Sequence, residues 1–186
     1  MTGSHPLPGG AALRLLEPGD SPALLAAYLR SRAHLRPFDP DRPDWFWTLE
    51  GQQKRVDALV RATAEGTELA CTMVRGERVL GCVTLTAITM GPFLSARIGY
   101  WVDVEEIGKG LATAAVGAVC TIADTELGLH RIEASTMLSN VASQRVLARN
   151  GFTDIGVAPN YLHINGRWSD SRLFQVILND RTPPLG

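Results

Sequence analysis

The hydrophobic period of this chain switches repeatedly between a helical and a strand rhythm, and that narrows the fold more than any other feature. Leu69 to Val74 and Val79 to Leu85 read as strands around the turn Arg75-Gly76-Glu77-Arg78, and Ala96 to Val104 reads as a third. From Gly110 the period becomes helical, with Leu111, Ala115, Ala118, Val119 and Ile122 on one face. Gly128 ends that helix, Arg131 to Thr136 is a strand, and Ala142 to Asn150 is a helix closed by Gly151. Two final strands, about Thr153 to Ile164 and Trp168 to Leu178, flank Asn165-Gly166, the pair that favours a type I′ hairpin turn. Upstream, Ala12 to Leu16 has strand character. Ser21 to Arg32 reads as a helix capped by Ser21, with Pro22 in its first turn. Pro37, Pro40 and Pro43 make 33–44 a loop that runs into Trp45-Phe46-Trp47, and a second helix spans about Thr48 to Glu65. About seven strands and four helices in this order predict an α+β, or mixed-sheet α/β, domain.

Length and charge bound what such a domain can be. The 186 residues suit one domain, expected over 11–180, with a flexible tail over 1–10 and another over 181–186. The net charge is −1, and the two lysines, Lys54 and Lys109, form no basic cluster. Direct nucleic-acid binding is therefore not expected. No apolar run reaches the ~20 residues of a membrane span, and no signal peptide is visible. Cys71, Cys82 and Cys120 have no CxxC spacing and read as reduced thiols in apolar surroundings. A cytoplasmic protein without a metal is the expectation, and a homodimer is compatible with the sequence.

Chemistry concentrates between Tyr100 and Ala112. A strand ends, the turn Ile107-Gly108-Lys109-Gly110 follows, and a long helix starts at Leu111. Such a turn leaves backbone N–H groups aimed outward at a helix N-terminus, where an anion such as pyrophosphate fits. The Walker spacing is absent, and so is the third glycine of a dinucleotide fingerprint.

These residues resemble a known family. From about Gly99 to Asp180, more loosely back to Arg14, the chain resembles the GNAT superfamily of acyl-CoA-dependent N-acyltransferases, and most of all its Rim-type branch, which acetylates N-terminal amines of ribosomal proteins. The family's Gln/Arg-x-x-Gly-x-Gly/Ala motif falls on Ile107 to Ala112: Gly110 and Ala112 match, whereas Ile107 replaces Gln or Arg. Gly128-Leu129-His130-Arg131-Ile132-Glu133-Ala134, Asn140-x-x-Ser143 with Arg149-Asn150-Gly151-Phe152, and Tyr161-x-His163-Ile164-Asn165-Gly166-Arg167-Trp168-x-Asp170 match further blocks in order.

The resemblance implies a GNAT fold: a mostly antiparallel twisted sheet splayed in the middle. It implies acetyl-CoA as co-substrate, held by Ile107, Gly108, Lys109, Gly110, Leu111 and Ala112, by backbone N–H groups near Val102 and Val104, and by Asn140 and Ser143. Ser143 is expected to serve the leaving thiolate, and Asn140 doubles as a helix N-cap. The base is open among Tyr161, His163 and Glu133, because the glutamate of some Rim-type enzymes falls on Leu162. Strand alternation places Tyr161, His163, Trp168 and Asp170 on one face of the hairpin. Glu133 equally reads as a surface pair with Arg131. His34, Phe38, Trp45 and Trp168 are candidate walls for the acceptor.

An α-amine of pKa ~7.7–8.0 is roughly 20–30% neutral at pH 7.4, whereas a lysine at ~10.4 is about 0.1% neutral. Without a clear carboxylate base, the expected reaction is direct acetyl transfer to a protein or peptide N-terminal amine. The alternatives are a small-molecule amine, a succinyl-type donor, or a catalytically silent CoA sensor.

Overall fold

The computed structural model describes residues 3–183. One eight-stranded sheet organises the chain. Its strands are β1 (His5–Leu7), β2 (Ala11–Leu15), β3 (Leu69–Arg75), β4 (Arg78–Thr89), β5 (Ser95–Val102), β6 (Arg131–Met137), β7 (Thr153–Ile164) and β8 (Arg167–Ile177), in the spatial order β1-β2-β3-β4-β5-β6-β8-β7. Every neighbouring pair is antiparallel except β5 and β6, which run parallel. The helices are α1 (Ser21–Leu35), α2 (Leu49–Ala64), α3 (Leu111–Thr125) and α4 (Val141–Arg149).

Each face of the sheet has its own core. On one, Leu13, Met73, Val83 and Ile98 pack with Leu111, Val116, Val119 and Ile122 of α3 and Leu147 of α4. On the other, Leu24, Ala27 and Tyr28 of α1 and Val56 of α2 pack with Phe46, Ala70, Val79 and Cys82. Alternation sends successive side chains of a strand to opposite faces. Tyr100 and Val102 therefore pack toward α3 and α4, while Trp101 packs toward α1 and α2.

Two expectations need correction. Residues 5–7 are not part of a flexible tail: His5–Leu7 pairs with Ala11–Leu13 and buries Leu7, which adds the eighth strand. Met1 and Thr2, and residues 184–186 of the other expected tail, lie outside the described residues. Ser21 does not cap α1; its hydroxyl donates to the Pro18 carbonyl at 3.0 Å, and Asp20 holds the N-cap position, pinned by Arg14 at 2.6 and 2.8 Å. The Asn165-Gly166 turn does have both φ values positive, as a type I′ turn requires.

Candidate active site

The parallel pair is where the sheet opens. β5 and β6 pair only over Ser95–Arg97 and Arg131–Glu133, and from there to Val102 and Met137 the two strands run on without pairing to each other. The parting creates a cleft of about 1380 Å³ that passes from the α3–α4 face to the α1–α2 face. Just beyond β5 the Asp103 N–H donates to the Leu80 carbonyl of β4 at 2.8 Å. Backbone groups alternate along a strand, so the N–H groups of Val102 and Tyr100 point away from β4 and into the opening. Val104 is corrected: its N–H donates to Ser31 Oγ at 3.1 Å and is already used.

The glycine turn stands at the α3–α4 mouth. Gly108 and Gly110 have φ of +77° and +78°, a left-handed backbone that costs an ordinary residue about 1–2 kcal/mol. A Cβ on either would meet nothing, so the backbone angle, not crowding within the chain, calls for glycine. Gly110 is the N-cap of α3 and offers no side-chain acceptor. The first bond of the helix is Ala114 N–H to Gly110 O at 3.0 Å, so Leu111, Ala112 and Thr113 have N–H groups with no acceptor inside the helix. Ile107, Gly108, Gly110, Leu111 and Ala112 line the mouth, whereas the Lys109 ammonium turns back to Glu106 at 3.4 Å. Glu106 is buried and also held by Arg75 at 3.0 and 3.2 Å, and these cations keep its carboxyl below the usual range.

The N-terminus of α4 faces this mouth across the cleft. Asn140 Oδ1 accepts from the Ser143 N–H at 3.1 Å and caps the helix. Ser143 Oγ lies 2.7 Å from the hydroxyl of Tyr100, which also reaches the Ser143 carbonyl at 3.1 Å. Sequence reasoning missed Tyr100. The signal was the inward alternation of Ile98, Tyr100 and Val102, but only the tertiary fold sets β5 against α4. Burial pushes the Tyr100 phenol up to about 12.

The hairpin differs from simple alternation. Ala158 pairs with Ser171 and Leu162 with Ser169, so Pro159, Asn160 and Tyr161 bulge against the single residue Asp170. Asp170 accepts from the Asn160 N–H at 3.0 Å rather than standing opposite Tyr161. The bulge lets both Tyr161 and Leu162 line the cleft. His163 and Trp168 stack edge-to-face at 5.6 Å on the outer side, outside the cleft lining, and Trp168 is 61% exposed. Neither contributes to the cleft.

Glu133 also lies outside the cleft lining, paired with Arg131 at 2.9 Å beside the closed part of the parallel pair. Of the expected acceptor walls, His34 and Phe38 line the α1–α2 end, while Trp45 is 54% exposed on the outer side of α2. The cleft-lining carboxylates are Asp39 and Glu106, and Asp39 is bound by Arg42 through two 2.8 Å hydrogen bonds.

A mixed sheet splayed at its one parallel pair, with a glycine-opened helix N-terminus on one lip and a second helix N-terminus on the other, is the architecture of a GNAT-fold N-acetyltransferase. Comparison with known proteins agrees. The model of the acetyltransferase (GNAT) domain matches residues 11–153. The probable N-acetyltransferase YjcK of Bacillus subtilis is 35% identical over 170 residues, covering 90% of this chain and 94% of that protein. The ribosomal-protein-S5-alanine acetyltransferase of Vibrio fischeri superposes with a TM-score of 0.93 at 32% identity, covering 97% of this chain and all of that one. Mycobacterium smegmatis RimJ, solved in complex with CoA-disulfide, superposes with a TM-score of 0.88 at 31% identity, covering 94% and 86%. The chain belongs to the GNAT acetyltransferase family, and these similar structures are of its Rim type.

Proposed function

We propose that this enzyme transfers the acetyl group of acetyl-CoA to the N-terminal α-amine of a protein, a ribosomal protein being the model suggested by its relatives. One observation carries the choice of amine. Both carboxylates lining the cleft, Asp39 and Glu106, are neutralised by Arg42 and by Arg75 with Lys109. A carboxylate whose oxygens already accept hydrogen bonds from a guanidinium has little left to offer an incoming amine. A lysine acceptor would need on the order of 3 kcal/mol more deprotonation than an α-amine. An acceptor that arrives partly neutral removes that requirement. An N-terminal amine fits, and a ribosomal acceptor places the enzyme in the cytoplasm.

In this reading the pyrophosphate of acetyl-CoA sits on the free N–H groups of Leu111, Ala112 and Thr113. Ile107 supplies apolar contact where the family uses a polar side chain. The Val102 N–H, aimed into the opening, binds the thioester carbonyl and stabilises its oxygen as it becomes an oxyanion. The neutral amine enters from the α1–α2 face and attacks the carbonyl carbon directly. The tetrahedral intermediate collapses, and the C–S bond breaks with its electron pair on sulfur. Ser143 gives its hydroxyl proton to that thiolate and is reprotonated by Tyr100, 2.7 Å away, which recovers a proton from solvent. The ammonium proton of the former amine passes to solvent. Holding donor and acceptor at the two ends of one cleft supplies much of the rate.

Thiol release from acetyl-CoA tests this directly. Peptides with free Ala or Ser N-termini are expected to react faster than the same peptides N-acetylated but carrying lysine, and faster than simple amines. Preferential reaction of lysine side chains would overturn the assignment.

A further inference from the structure

The α1–α2 end of the cleft holds a cation that the transfer chemistry leaves unused. Trp101 lines the cleft wall there, with its indole N–H enclosed in the protein. Its ring lies on the Tyr28 ring, with centroids 4.2 Å apart. The Arg55 guanidinium, carried by α2, also lines the cleft, 5.5 Å from the centroids of both Tyr28 and Phe46. Among the described residues no carboxylate pairs with Arg55. Its guanidinium donates to the side-chain Oε1 of Gln52 at 3.5 Å, and Gln52 is itself fully buried, its side-chain amide donating to the Phe46 carbonyl at 2.6 Å. The nearby Arg42 differs, because Asp39 neutralises it. A half-buried arginine that lines the cleft without a counter-ion is completed by an anion that also accepts hydrogen bonds.

We infer that Arg55 anchors an acceptor subsite for a carboxylate carried a short distance from the amine being acetylated. This rests on the N-terminal acetylation reading and names the acceptor's chemistry. Arg55 lines the same cleft as Val102, whose N–H faces the reacting carbonyl. Successive Cα atoms of a peptide are 3.80 Å apart, so an acidic side chain at the second to fourth position of the acceptor reaches the subsite from an amine at the opening. Guanidinium and carboxylate meet as a planar fork. Exclusion follows from the same charge: a lysine or arginine at that position faces Arg55 with no anion between them.

The test uses the whole enzyme with acetyl-CoA and C-terminally amidated, serine-led hexapeptides carrying Glu, Gln or Lys in turn at positions two, three and four. At one of these positions kcat/KM is expected to be at least about tenfold higher for Glu than for Lys, with Gln between, and the ratio should shrink as salt is raised. Arg55→Glu should invert the order, and Arg55→Lys should retain a reduced preference for Glu. The KM for acetyl-CoA reports that either variant is folded. If Arg55→Glu does not fold, the wild-type series alone decides. Equal kcat/KM for the three side chains at every position, with transfer intact, overturns the subsite and leaves the N-terminal reading standing. If no peptide is acetylated, that reading fails instead. The subsite is then decided by small amines offered with a free carboxylate or as the neutral amide: a clear advantage of the carboxylates supports it, and equal rates overturn it.

Discussion

Removing the Tyr100 hydroxyl is the sharpest test of the proposed proton path. Tyr100→Phe deletes one oxygen and keeps the ring that packs against the α3–α4 core. It removes the 2.7 Å contact with Ser143 Oγ. Loss of one such hydrogen bond costs stability about 1 kcal/mol. For a chain of this size that is a fall in Tm of roughly 2–4 °C. The effect on turnover should be larger, because a positioned proton donor contributes typically 10²–10⁴-fold. We expect kcat to fall about 100-fold, or ~2.7 kcal/mol at 1.36 kcal/mol per tenfold. Ser143→Ala should fall by a similar factor, and the KM for acetyl-CoA should change less than threefold in both. If the two hydroxyls act as one relay, the double variant should be no slower than the worse single one. The phenol, raised to about 12 by burial, stays protonated below pH 10, so wild-type kcat should show no loss from Tyr100 ionisation up to that pH. Steady-state kinetics of the four enzymes with one N-terminal peptide settles the matter. Unchanged kcat in either single variant, or losses that simply add, would refute a shared relay.

Three further outcomes follow from the same geometry. Gly110→Glu puts a side chain on a φ of +78° and a negative charge at the pyrophosphate turn, so calorimetry should detect no acetyl-CoA binding; undiminished affinity would remove the turn from the site. Buried Asp103, gripped by Arg30 and Arg78, and Glu106, gripped by Arg75, both have depressed carboxyl pKa values. A depressed folded-state pKa gives stability that is present above the unfolded value of about 4 and lost as pH falls through the folded one, so Tm should be flat from pH 8 to about 5 and drop below pH 4; a Tm unchanged from pH 5 to 3 would contradict this. His163→Ala should leave kcat/KM for an N-terminal peptide within about twofold, because the ring stacks on Trp168 outside the cleft; a loss beyond tenfold would return it to the site.

Local signals were strongest where a backbone requirement selects a residue type. The Asn165-Gly166 turn, the positive-φ glycines before α3 and the Asn140 cap were legible because each follows from a few neighbouring residues. The strand His5–Leu7 was not: a Gly- and Pro-rich segment of three paired residues has no periodicity of its own, and it is a strand because β2 offers it a partner. Alternation failed on the hairpin for a related reason. Three residues bulge against Asp170, which changes the side on which Tyr161 and Leu162 emerge and leaves His163 and Trp168 outside.

The sequence by itself determined the mixed helix–strand order, the glycine turn before a long helix and the blocks of family resemblance, since these depend on local sterics and on the spacing of residues along the chain. Only the tertiary structure decided that β5 and β6 part after three paired residues and that Ser143 meets Tyr100 across 43 positions of sequence. It also decided that Val104 spends its N–H on Ser31, and that Arg55 lines the cleft without an acid beside it among the described residues. Those outcomes depend on which strands and helices become neighbours, and the burial that fixes those neighbours is a property of the assembled core rather than of any segment within it.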